Sequence, residues 1–244
     1  MNPTDTRLPD IFPLNTLGAA LQKLRPPQGP FAAAGPWKHT WGVYTTAARL
    51  QRVGTLMLRR RVGEQGRVAL EMEYEKTLSG GVQKIDAAMH LDADSRLSTP
   101  VRWQWQARVL TPSGKLVANT RLEKSAAFDS GWVTVSDKSG KQLIEMPGPY
   151  TLNWALFDAV TRLPGETFDP LCFTLIDHFD QPKPGQTLSY RKTTDVPIGG
   201  RTVRLRAFDQ LGQGIVPWVY WLDEQGRLLA AVSGLEAYLI ETTS

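Results

Sequence analysis

The side chains able to do chemistry are few and dispersed. The chain carries three histidines and one cysteine in 244 residues. Asp177-His178-Phe179-Asp180 is its densest titratable group. A histidine flanked by carboxylates has the parts of a general acid/base pair, or of a fragment of a metal site. On a strand His178 and Asp180 point together; at a helix end they splay, and the group is then a solvated terminus before Pro182. His39 lies between Trp37 and Trp41 at alternate positions, which puts all three on one face of a strand. That placement suits a hydrogen-bonded core histidine or a second acid/base group, with Tyr44 nearby in sequence. An enzyme reading would therefore rest on His178, Asp180, His39 and Tyr44. Cys172, within Leu171-Cys172-Phe173, reads as a small buried apolar residue, and as a nucleophile only if His178 serves it as base. A single cysteine leaves no intrachain disulfide and no cysteine-based zinc site. No HExxH, GxSxG, Walker or dinucleotide pattern occurs, so neither a metal nor a cofactor is expected.

Eight tryptophans and six tyrosines are the more unusual feature. Trp103 and Trp105 share one strand face; Trp218 and Tyr220 share another, with Trp221 opposite. Flat aromatic faces with a polar handle suit sugars, lipids or aromatic ligands, and they equally fill the core of a large sheet. If one pair lines a cavity, the ligand-binding residues are Trp103, Trp105, Trp218, Tyr220 and Trp41. The partner is then a small molecule, apolar or sugar-like.

These side chains need elements to hold them. Residues 101–110 give the cleanest pattern: Val101, Trp103, Trp105, Ala107 and Val109 on one side, Arg102, Gln104, Gln106 and Arg108 on the other. That is an antiparallel strand with one face buried. Similar alternation runs over 37–43, 53–61, 68–78 and 82–91. Past the Thr111-Pro112-Ser113-Gly114 turn it resumes at 116–122, with shorter pieces at 132–136 and 142–146. It returns at 186–194, 202–208, 215–222 and 228–241. Helical signals are short. Leu17, Ala20, Leu21 and Leu24 fall at helical spacing within 15–24, ended by Pro26-Pro27. Asn153 stands as a cap before 154–162. Asp169-Pro170 stands before 171–179, where a strand reading also remains open. About ten strands and two or three short packed helices predict a mainly β chain, one large curved antiparallel sheet or half-barrel. Residues 1–36 form an arm, and 37–244 a single β domain.

A net charge of +4, with 28 Lys+Arg against 24 Asp+Glu, is mild. Arg59-Arg60-Arg61 is the one dense basic cluster, either an anion patch or a solvated strand end, and Glu64, Glu71, Glu73 and Glu75 follow to neutralise it. Nucleic acid is therefore disfavoured as a partner. No run approaches the roughly 18 apolar residues of a membrane helix. The opening residues lack a charged segment followed by an apolar one. As it stands the chain reads as cytoplasmic, and as periplasmic if a leader has been trimmed. Oligomeric state is open.

Together, the "VGTLMLRRR" strand, the "DP" segment, the "KPGQTLSY" turn into a strand and the closing "VYWLDEQGRLL" hairpin resemble uncharacterised bacterial half-barrel families, related in shape to periplasmic lipoprotein carriers. The resemblance spans 37–241, with Val53-Gly54-Thr55 and Trp221-Leu222-Asp223 the nearest matches. It implies one strongly bent sheet whose concave face holds an apolar ligand or a helix. It carries no catalytic residues across. The functional expectation is thus a ligand-binding domain with an aromatic-lined concave face; the alternative is a hydrolase or lyase acting on a glycoside in the same cleft.

Overall fold

The structure, a computed structural model, describes residues 13–46 and 49–243. Residues 1–12, which include the positions read for an export signal and the start of the expected arm, lie outside them, as does Ser244.

Among the described residues, fifteen strands follow one another in chain order. They are β1 (Trp37–Thr45), β2 (Gln51–Val62), β3 (Val68–Leu78), β4 (Gly81–Leu91), β5 (Pro100–Leu110), β6 (Leu122–Asp129), β7 (Trp132–Asp137) and β8 (Gly140–Glu145) in the first half. The second half has β9 (Tyr150–Leu152), β10 (Leu171–Asp177), β11 (Gln181–Ile198), β12 (Arg201–Leu211), β13 (Trp218–Leu222), β14 (Leu228–Ser233) and β15 (Glu236–Thr243). Among the same residues two α-helices accompany them, α1 (Gly18–Lys23) and α2 (Asn153–Ala159). All these strands belong to one sheet, in which each pairs with its chain neighbours, except that β8 and β9 do not pair with each other and β1 pairs with β15. Only β9 and β10 run parallel. The period-two pattern sets the inner face: along β3, Val68, Leu70, Met72 and Tyr74 are buried, while Glu73 and Glu75 between and beyond them are exposed.

β8 and β9 stand at the two ends of the strand order, so the sheet does not close edge to edge. It overlaps itself instead. The β10–β11 turn and β9 press on the face of β5 and β6 that bears Trp103 and Trp105. Trp103 Nε1 donates to Phe179 O (3.0 Å), the Trp105 and Phe179 rings stack at 5.2 Å, and Phe128 meets Tyr150 at 5.1 Å.

The concave face is filled by the chain itself. Residues 154–159 of α2 are all buried, as a helix enclosed on every side must be. Its Phe157 ring meets Trp41, Tyr220 and Tyr238 at 5.4, 6.0 and 5.4 Å. Trp154 packs on Tyr74 and Tyr238. A buried ionic cluster pins the helix. Asp158, with no exposed surface, faces Arg60 Nε at 2.9 Å and accepts from Ser98 Oγ at 2.6 Å. Arg60 also donates to Ala34 O and, at 2.9 Å, to Gly35 O. Of the basic triplet, Arg59 and Arg61 pair with Glu71 outside, but Arg60 is a core residue rather than a solvated one.

Leu14, Leu17, Leu21 and Leu24 are buried along the α1 segment. Gly199, at φ +58°, donates its N–H to Leu21 O, and a Cβ there would meet Leu24 O at 2.1 Å, so only glycine fits. Arg201 and Arg227 hold the following extended stretch through the carbonyls of Pro26, Pro27 and Gly29.

Several local expectations are corrected. Residues 171–177 are a strand, not a helix: β10 pairs on both sides, and Phe173, Leu175 and Ile176 are buried, which overrides the Asp169-Pro170 start signal. Asn153 is the first residue of α2 rather than its cap; Leu152 holds the capping position without a side-chain bond. β6 begins only at Leu122, after a loop that Val117 N and Val109 O tie down. The last expected strand is a hairpin broken at Gly234-Leu235.

Candidate functional site

The sequence-derived site residues fall into two packed clusters and one outlier. His39, Trp41 and Tyr220 belong to the interior around α2. His39 stacks on Trp37 at 4.7 Å and meets Phe31 at 5.2 Å. Burial, helped by the Arg227 charge, lowers its pKa to about 3, so it is a neutral imidazole at pH 7. Trp41 is fully buried and donates Nε1 to Leu228 O at 3.1 Å. Tyr220 donates to Gln210 Oε1 at 2.7 Å, and burial raises its phenol pKa. Trp218, half-buried, packs on Tyr238 at 5.6 Å.

The second cluster is the overlap. Asp177-His178-Phe179-Asp180 is neither strand nor helix end but the turn between β10 and β11. Asp180 N donates to Asp177 O, and His178 and Phe179 adopt φ of 48° and 72°. Positive φ at both central residues is the tight hairpin geometry, strained for a side chain as large as phenylalanine. The stack on Trp105 accompanies that strain. Asp180 pairs with Lys124 at 2.7 Å, whereas the His178 side chain is 70% exposed at the tip. Cys172 is exposed, not buried as its apolar neighbours suggested. Tyr44 sits apart from both clusters, where burial and the Glu241 carboxylate, which pairs with Arg52 at 2.8 Å, raise its pKa. The four expected catalytic residues are thus distributed over three environments.

A concavity lies elsewhere on the same strands. A groove of about 920 Å³ takes three consecutive residues from each of β4 (86–88) and β5 (104–106), then 121–125 and 136–139. The register aligns Asp86 with Gln106 and Glu123 in one cross-strand row, and Ala88 with Gln104, Ser125 and Ser136 in the next. By alternation these side chains project from the face opposite Trp103 and Trp105. Trp105 supplies floor to the groove while its ring turns inward to Phe179. Arg108 fixes Asp86 at 2.8 Å, and Gln106 Nε2 donates to the same oxygen at 3.3 Å. Arg121 stands 3.5 Å from Glu123. The lining carries Asp86, Glu123 and Asp137 with Arg121, Lys124 and Lys138, but the Lys124 ammonium turns to the inner face, where it pairs with Asp180 at 2.7 Å and lies over the Trp105 ring. Of these residues the sequence singled out Trp105 as a binder and recognised Gln104 and Gln106 only as the polar face of β5. The signal for the rest was the same polar alternation, and it becomes a site only once four strands are in register.

No family model and no curated protein sequence matches this chain. Among solved structures it is similar to a β-barrel-like protein of a domain of unknown function, DUF1849, from Brucella abortus, at 10% identity and a TM-score of 0.58, covering 86% of this chain and 97% of that one. Two others match over comparable lengths with lower scores. One is a candidate lipoprotein of Parabacteroides distasonis, at 11% identity and a TM-score of 0.32, covering 89% of this chain and 100% of that one. The other is a candidate exported protein with a YmcC-like fold from Bacteroides fragilis, at 9% identity and 0.28, covering 88% and 97%. The likeness to the Brucella protein is one of fold: an uncharacterised, bacterial, barrel-like β architecture, as the sequence resemblance implied.

Proposed function

We propose that this chain is a binding protein for a neutral, carbohydrate-like small molecule, taken in the groove on the outer face of β4–β7 rather than on the aromatic concave face. The observation that carries the reading is the lining. The Gln104 and Gln106 amides, the Ser125 and Ser136 hydroxyls and the ion-paired Asp86 and Glu123 carboxylates line a groove of about 920 Å³, within the size range of small-molecule sites. Amide and hydroxyl groups in two cross-strand rows match a polyhydroxylated surface, and the Asp86 and Glu123 carboxylates are each answered by an arginine, which leaves no dominant charge to select an ion. The interior favours this choice by exclusion: the space an apolar ligand would need is taken by α2, and the indole N–H groups of Trp41 and Trp103 already have backbone acceptors. An enzyme reading gains no support from geometry, since His39, Tyr44 and His178 do not converge.

Calorimetric titration of neutral and charged soluble oligosaccharides tests the reading. Neutral ones should bind, and Gln104→Ala/Gln106→Ala should weaken binding by about tenfold or more, as loss of two hydrogen-bonding groups does, without lowering Tm. Binding of a long-chain fatty acid with none to oligosaccharides would overturn it. So would the appearance of new reducing ends, which would make the chain a glycosidase.

A further inference from the structure

The two ends of the sheet are treated differently by the fold. β9 is capped: its three residues are buried, and Thr151 Oγ1 and the Tyr150 carbonyl bond to Leu97 O and Thr99 Oγ1. β8 has no such cover among the described residues. Met146 N donates to Gly131 O at 2.8 Å, which fixes the hydrogen-bonding phase of the β7–β8 hairpin. In that phase Gly140, Gln142 and Ile144 bond to β7, so the N–H and C=O groups of Lys141, Leu143 and Glu145 point to the open edge. The side chains of the same three residues are exposed, and Leu143, at 64%, is the most exposed of the large apolar residues described. Trp132, 44% exposed, is its diagonal neighbour on β7.

An open edge bearing a lysine ordinarily resists pairing, because the incoming strand must bury that charge against its own backbone. Here the edge is complementary to itself. Laid antiparallel about Leu143, two copies of β8 place Leu143 opposite Leu143 and Lys141 opposite Glu145 at both ends. All three residue pairs are then of the hydrogen-bonded kind, and Trp132 and Leu143 of each copy form a continuous apolar stripe. We propose that β8 is the homodimer interface of this chain: two copies join edge to edge about a two-fold axis at Leu143, extending the sheet across the pair. The Lys141–Glu145 match sets the register and discourages strands that lack an acid at that position.

Sedimentation equilibrium across a concentration series tests this on the full chain. The wild type should be a dimer that dissociates on dilution. Lys141→Glu should leave acid opposite acid at both ends and weaken self-association by about tenfold, and Glu145→Lys should do the same with two lysines. An equimolar mixture of the two variants restores opposite charges at both ends and should dimerise as the wild type does. Leu143→Pro removes an N–H that the β7 ladder does not use and should give a monomer with an unchanged far-UV spectrum. A wild type that stays monomeric throughout would overturn the proposal. So would a dimer indifferent to both charge variants, or one that the mixture fails to restore.

Discussion

Individual side chains in this protein are governed by what covers them. Trp103 and Trp105 illustrate it: alternation along β5 was enough to turn both inward, but not to say what they would meet. The structure gives them 1% and 4% exposure and a protein partner on the ring or the N–H. Trp103→Ala and Trp105→Ala should therefore each lower unfolding free energy by about 3–5 kcal/mol, the penalty for a large packed side chain. Chemical denaturation measures this, and a loss of half that size would mean a ring with an open side. His39 makes a second case. Its folded pKa of about 3 lies below the free value of 6.5, so as pH falls through 6.5 the unfolded chain gains a proton that the folded chain refuses. Stability present above pH 6.5 is then lost at up to about 1.4 kcal/mol per pH unit as pH falls toward 3. Denaturation between pH 6.5 and 5 should show His39→Phe with a flatter slope than wild type, and equal slopes would contradict the buried neutral imidazole. The alternate spacing of Trp37, His39 and Trp41 made the core position legible. That Asp177–Asp180 forms a turn was not legible, because the four residues include neither glycine nor asparagine, the usual marks of positive φ, and the turn is defined by the β10–β11 pairing on either side of it.

At the scale of elements, the strands were legible wherever one face is wet. β2 to β5 were read within a residue or two, β3 with the clearest alternation, while the short β10, with Phe173, Leu175 and Ile176 buried, could not be told from a helix by periodicity. α2 was visible as a short helix, but nothing local showed that it would enter the concave face, since that depends on Arg60, in a triplet whose other members are outside. The Asp158–Arg60 contact turns this placement into a measurable quantity. Removing either partner leaves the other charged and buried, so Asp158→Leu or Arg60→Met alone should cost about 3–5 kcal/mol. The double variant should cost less than the sum of the singles, because the buried pair is removed as a unit and Arg162, the second cation on Asp158 at 3.3 Å, is partly exposed to water. Thermal or urea unfolding of the three variants decides it, and additive losses would mean that the two residues do not act as a pair.

For the molecule as a whole, the two faces of the overlapping sheet differ in what covers them. The inner face, rich in tryptophan and tyrosine, is consumed by packing on α2 and on the overlap. The outer face of β4–β7 presents polar side chains, several of them paired with one another, around the groove proposed to take a ligand, and the open edge of β8 lies beside it. The curved mainly β architecture was readable from the chain. The location of the groove was not, because its residues come from four strands brought into register only by the completed sheet. The claim that binding occurs outside and not within is tested most directly by ¹H–¹⁵N NMR of the labelled protein, titrated with neutral soluble oligosaccharides. Binding in the outer groove should shift the amides of residues 86–88, 104–106 and 123–125 and the side-chain amides of Gln104 and Gln106, with the indole N–H signals of Trp41 and Trp103 unmoved. Shifts concentrated on those two indoles, with the outer-face amides still, would place the ligand in the interior and contradict it.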